Sequence, residues 1–115
     1  MNGIIYKIVP ADLWREAELA GVFGGAAIDL TDGYIHLSTG VQAKRTAELY
    51  FRGQDGLLLV AVDGGKLGDG LKYEASRDGD LFPHLYGPLP LSAVVWKKPL
   101  ILRADGLHDF PDGFA

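Results

Sequence analysis

Two histidines stand where this chain could do chemistry. His36 lies in Tyr34-Ile35-His36-Leu37-Ser38-Thr39, a short apolar-polar alternation that runs into a helix start, and His84 lies in Phe82-Pro83-His84-Leu85-Tyr86-Gly87-Pro88. If Tyr34 to Leu37 is a strand, its period of two puts Tyr34, His36 and Ser38 on one face. Thr39 follows at the strand-to-helix junction. An imidazole, two hydroxyls and the free amides of a helix N-terminus could then meet one anionic or hydroxyl-rich ligand. The plainer reading is that Ser38 or Thr39 only caps the helix and that His36 is a satisfied strand residue.

Glu74 closes a second candidate strand. A partly desolvated carboxylate there can accept two hydrogen bonds from a diol or act as a general base; otherwise it is a solvated surface acid. His84 and Tyr86 sit among Pro83, Pro88 and Pro90, whose fixed φ angles stiffen the segment. His36, Glu74 and His84 also have the composition of a two-histidine, one-carboxylate metal set, although no helical His-x-x-x-His pair supports it. A serine nucleophile has no Gly-x-Ser-x-Gly elbow, and Gly64-Gly65-Lys66-Leu67-Gly68 lacks the spacing of a phosphate loop. His108, beside Asp109, reads as exposed and inert.

The whole chain bounds these options. Its 115 residues suit one domain, with a core over about residues 4–102 and a loosely held tail at 105–115. Apolar residues at 48% and charged residues at 23% are ordinary for a globular fold. A net charge of −4 with interspersed signs does not resemble a nucleic-acid footprint. The longest apolar run, Leu57 to Val62, falls far short of the roughly 20 residues a membrane helix needs. The N-terminus lacks signal-peptide regions, so a cytoplasmic monomer or small homo-oligomer is expected. The absence of cysteine removes disulfides, thiolate metal sites and cysteine nucleophiles.

The elements that must position the candidates follow from periodicity. Ile4 to Val9 reads as a strand, and Asp12 to Ala20 as a helix burying Leu13, Trp14 and Ala17, stopped by Gly21. Gly21 to Gly33 is glycine-rich and reads as an irregular loop. Thr39 and Gln42 have capping-box spacing, which starts a second helix whose core side is Val41, Ala43, Ala47, Tyr50 and Phe51. Leu57 to Val62 has the continuous apolar character of a central strand. Leu71 to Glu74 is a further strand, and Ala75 to Pro90 a long loop. Ala93 to Trp96 and Leu100 to Leu102 are two last strands, separated by Pro99. More strands than helices, with both helices early, predict an α+β fold with a mixed or antiparallel sheet.

Several segments together resemble a known family: Ile5-Tyr6-Lys7-Ile8, Trp14, Gly33 to Thr39 followed by Gln42, Leu57 to Asp63, Tyr73-Glu74, and Phe82 to Leu89. In this order they are similar to domain-of-unknown-function family 952, over about residues 4–98. That family resembles, at the level of fold, the ADP-ribosyltransferase superfamily. The resemblance implies a split, mostly antiparallel sheet that grips NAD, as substrate, or a related nucleotide-like compound in a cleft, with ADP-ribosyl- or phosphotransferase-type chemistry and no metal. It places Lys7 where relatives often carry a histidine or arginine for the nicotinamide ribose, and Ser38 or His36 on the second characteristic strand. It makes Glu74 the acid that would hold a ribose hydroxyl and support an oxocarbenium-like transition state. His36 would share the catalysis, while Ser38, Thr39, His84 and Tyr86 would contact the ligand. A non-catalytic ligand- or partner-binding domain, and a metal-dependent hydrolase built on His36, Glu74 and His84, remain open beside it.

Overall fold

A computed structural model describes residues 3–76, 79–112 and 114. The fold is α+β, and every strand pair among the described residues is antiparallel. The chain runs β1 (Ile4–Pro10), α1 (Ala11–Ala20), β2 (Val22–Phe23), α2 (Ala27–Asp32), β3 (Ile35–His36), β4 (Ser38–Thr39), α3 (Gly40–Tyr50) and β5 (Leu57–Asp63). It continues through β6 (Leu71–Ala75), β7 (Leu81–Leu85), β8 (Leu89–Pro90), β9 (Val94–Leu102) and β10 (His108–Asp109). A five-stranded sheet has the order β10-β9-β5-β1-β4, a three-stranded sheet the order β3-β7-β6, and β2 pairs with β8.

The five-stranded sheet is covered on both faces. Along β1 the alternation sends Ile5 and Val9 into one apolar cluster with Trp14, Phe23, Leu37 and Val60, and Tyr6 and Ile8 into another with Ala43, Ala47, Leu59 and Phe114. As its unbroken apolar sequence predicts, β5 lies between β1 and β9, and Leu57 and Leu59 to Val62 are buried. Helix α1 buries Trp14 and Ala17 and ends on Gly21, whose φ of 83° is the left-handed value that favours glycine. Helix α3 begins with the expected capping box: Thr39 N–H donates to Gln42 Oε1 (3.0 Å), and Gln42 N–H donates to Thr39 Oγ1 (3.4 Å).

The structure corrects the sequence reading at several places. The stretch read as a loop, Gly21 to Gly33, holds β2 and α2, so the described residues contain three α-helices rather than two. Six residues are too few for periodicity to show; α2 is held instead by Asp29, whose carboxylate accepts from Ala26 N–H (2.8 Å). The single strand expected at Tyr34 to Leu37 is two short strands in different sheets, with Leu37 N–H donating to Pro83 O (3.0 Å) at the changeover. The segment expected to be a long loop contains β7 and β8. Pro83 is accommodated because its carbonyl, not an N–H, carries the bond to Leu37. Strand β9 runs through Pro99, which sits opposite Leu58 while β10 pairs only with Ile101 and Leu102, the edge setting in which strands tolerate proline.

On α3 the buried side is Ala43 and Ala47; Val41 and Tyr50, expected in the core, are exposed. Toward the C-terminus β10 pairs with β9, and Tyr6 Oη donates to the carbonyl of buried Phe114 at 2.5 Å. His108, expected to be exposed, is buried and its Nε2 meets Gln54 O at 2.7 Å. Among the described residues no helix is long and apolar enough to cross a membrane.

Candidate functional site

The changeover at Leu37 makes the site. His36 belongs to the three-stranded sheet and Ser38 to the five-stranded one, and a cleft of about 530 Å³ opens at this split. Lys7, His36, Ser38 and His84 all line it, brought from β1, β3, β4 and β7. His36 and His84 are direct cross-strand partners, with ring centroids 5.6 Å apart. Two histidines far apart in sequence therefore share one wall.

The residue that organises this wall is Asp29, which sequence reasoning missed. Its buried carboxylate meets Lys7 Nζ at 2.9 and 3.1 Å, accepts from His36 N–H at 3.0 Å and contacts His36 Nδ1 at 2.7 Å. Lys7 shares its sheet face with Ile5 and Val9, is only 5% exposed, and donates also to His36 O at 3.0 Å. Burial lowers the Lys7 ammonium from its ordinary value, and the adjacent Asp29 charge opposes that fall. Burial alone would raise the Asp29 carboxyl. The Lys7 ammonium and the N–H groups of His36 and Ala26 outweigh it and hold Asp29 below the usual range. Lys7 is thus a buried ion-pair partner at the cleft rather than a free cation. The missed signal was Lys7 itself: a lysine in a strand buried on both faces needs a buried counter-charge.

His36 is clamped. Beyond Asp29, its Nε2 lies 2.9 Å from Asp32 Oδ2, so a carboxylate faces each ring nitrogen. A neutral imidazole can donate to only one of them. His84 is arranged differently. Its Nδ1 is 2.8 Å from Glu74 Oε1, and its Nε2 makes no hydrogen bond among the described residues. Since an ionised carboxylate only accepts, the Nδ1 proton points at Glu74 and the Nε2 lone pair is left for a ligand. Glu74 also accepts from Tyr86 Oη at 2.8 Å. The bonds from His84 and Tyr86 hold the Glu74 carboxyl below its ordinary value, and the same bond raises the Tyr86 hydroxyl.

Tyr34 completes the cluster. Its ring packs on His84, His36 and Tyr86 at centroid distances of 4.2, 4.6 and 5.2 Å. Burial, with the charges of Asp32, Glu74 and Asp29, raises its hydroxyl, which stays protonated.

The expected site residues therefore separate. Ser38 reaches the cleft and shares a hydrogen bond with Thr46 (3.1 Å). Thr39 is the helix cap and does not line it. Glu74 and Tyr86 lie outside the lining and are coupled to it through His84. The metal set of His36, Glu74 and His84 is not assembled: among the described residues no three His, Asp or Glu side chains converge as ligands.

The sequence profile of the family described as "Protein of unknown function (DUF952)" matches residues 8–97. The chain belongs to the DUF952 family. It is also similar to a solved structure, the X-ray crystal structure of protein CC0527 from Caulobacter crescentus, at 50% identity and a TM-score of 0.92, covering 96% of this chain and 97% of that one. The solution NMR structure of CC0527 matches at 52% identity and a TM-score of 0.81, covering 90% of each chain. No curated protein matches. In this DUF952 chain the segments that carried the resemblance, around His36 and His84, are the ones that meet in the cleft.

Proposed function

We propose that the cleft binds a ribose-bearing ligand of the NAD or ADP-ribose type and that His84 exchanges a proton with it. The observation that carries this reading is the convergence of His36, Ser38 and His84 on one cleft at the sheet split, with the His84 Nε2 lone pair unspent. The volume suits a small-molecule site, and the ligand class follows only from the resemblance to the ADP-ribosyltransferase superfamily read from the sequence. In the reaction the C1′–N bond to nicotinamide breaks, nicotinamide leaves with the electron pair, and an acceptor hydroxyl or water bonds to C1′. The acceptor's proton passes to His84 Nε2. Glu74 then acts as a positioning residue, fixing the His84 tautomer and stabilising the imidazolium that forms.

The test is to incubate the purified protein with NAD and with ADP-ribose, recording thermal stability and nicotinamide release. Stabilisation by both ligands, with release that depends on His84, is expected. Neither stabilisation nor release would remove the reading. A binding-only role is favoured by one observation, the position of Glu74 outside the cleft lining. Its mark would be ADP-ribose binding that survives Glu74→Gln while NAD yields no product.

A further inference from the structure

The polar wall of the cleft has spent its side-chain donors within the protein. Lys7 has three N–H groups, and they go to Asp29 Oδ1 (3.1 Å), Asp29 Oδ2 (2.9 Å) and His36 O (3.0 Å). Tyr6 Oη donates to Phe114 O, and both ring nitrogens of His36 face carboxylates. His84 directs its Nδ1 proton at Glu74. The direction of the bond between Ser38 and Thr46 follows from a third group. Thr46 Oγ1 donates to Gln42 O, four residues earlier on α3, at 3.1 Å. Its single proton is used there, so it accepts from Ser38 Oγ. Ser38, buried and lining the cleft, is left with lone pairs only. What this wall offers a ligand is therefore Ser38 Oγ and His84 Nε2, two acceptors, beside the Asp32 carboxylate that also lines the cleft. The first turn of α3, residues 39–41, whose amides would suit an anion, lies outside the lining.

We infer that the cleft is a site for hydrogen-bond donors that turns phosphate away, so that the hydroxyl- and amide-bearing nicotinamide riboside end of the ligand enters and the diphosphate stays at the mouth. This rests on the ligand class proposed above and sharpens it: base and ribose enter together, which keeps the bond to be broken beside His84. The physical reason is desolvation. A phosphate taken out of water needs charge-assisted donors in exchange, and here it would meet lone pairs and a carboxylate. Lys7, the cation nearest to hand, is already neutralised by Asp29. A ribose hydroxyl or the carboxamide N–H instead gives Ser38 the donor it lacks. The O–H of the acceptor gives His84 Nε2 the proton that the base takes up.

The experiment is titration calorimetry of the full chain with NAD, with nicotinamide riboside, which keeps the donors and lacks the diphosphate, and with pyrophosphate alone. Nicotinamide riboside is expected to bind within about tenfold of NAD, and millimolar pyrophosphate to displace neither. Ser38→Ala, with its fold checked by a thermal melt, is expected to weaken both nicotinamide compounds by the same factor of about ten. Pyrophosphate that displaces NAD, or a riboside more than about a hundredfold weaker than NAD, would overturn the inference while leaving the NAD reading in place. An affinity unaltered by Ser38→Ala would overturn it as well. Riboside binding without NAD binding would uphold the donor site and remove NAD as the substrate. Binding by none of the three would overturn both.

Discussion

Asp29→Ala is expected to destabilise the fold by about 3–5 kcal/mol, a large part of the ~5–15 kcal/mol that holds a small domain together. The loss comes from what stays behind. Lys7 Nζ keeps its charge in a buried strand position, and the N–H groups of Ala26 and His36 lose their acceptor. Lys7→Met in the same background should recover much of the loss, because the residual cost is that of an unpaired buried charge. The pH dependence has a definite sign. Asp29 is held below its ordinary value in the folded state, so its contribution is complete above the unfolded carboxyl value of about 3.9 and disappears as pH falls through the folded one. Urea midpoints for the parent and Asp29→Asn should therefore differ widely at neutral pH and converge below about pH 4. A constant difference across that range would contradict the ion-pair account.

The second large effect is expected at His84. If its Nε2 accepts the acceptor's proton, His84→Asn should lower the rate of nicotinamide release by about 10²–10⁴-fold. Glu74→Gln should lower kcat while leaving KM for NAD nearly unchanged, since the glutamate holds the imidazole without lining the cleft. The amide can present either an acceptor or a donor to Nδ1, so the correct tautomer is no longer enforced. A fall in kcat in Glu74→Gln that is restored by Glu74→Asp, with the melting temperature intact in both, would separate this positioning role from a merely structural one. Equal loss of kcat/KM through KM alone would place Glu74 in ligand binding instead.

Much of the fold was legible where burial imposes a simple period. The central β5 showed in its continuous apolar run, α1 in Leu13, Trp14, Ala17 and Gly21, and the start of α3 in the Thr39–Gln42 spacing. Prolines misled twice, at Pro83 and Pro99, because composition cannot show which side of a strand lacks a partner. Helix α2 was invisible because a tertiary contact, Asp29 to Lys7, holds it rather than local propensity. At the site, His36 and Ser38 were found from their place at a strand-to-helix junction, and His84 from its proline-stiffened segment. Asp29 was not, because an acid in a glycine-rich stretch carries no mark of its burial. The register of β3 against β7, which sets His36 opposite His84, depends on a pairing between segments about fifty positions apart in sequence.

The central claim is that His84 offers Nε2 to a ligand in a cleft it shares with His36. Long-range proton–nitrogen spectra of the imidazole rings during titration with ADP-ribose test it directly. The account predicts that His84, at a pH where its ring is neutral, carries its proton on Nδ1, and that its Nε2 resonance moves saturably with ligand while that of His108 stays fixed. A proton on His84 Nε2, or a titration that leaves His84 and His36 unmoved, would contradict it.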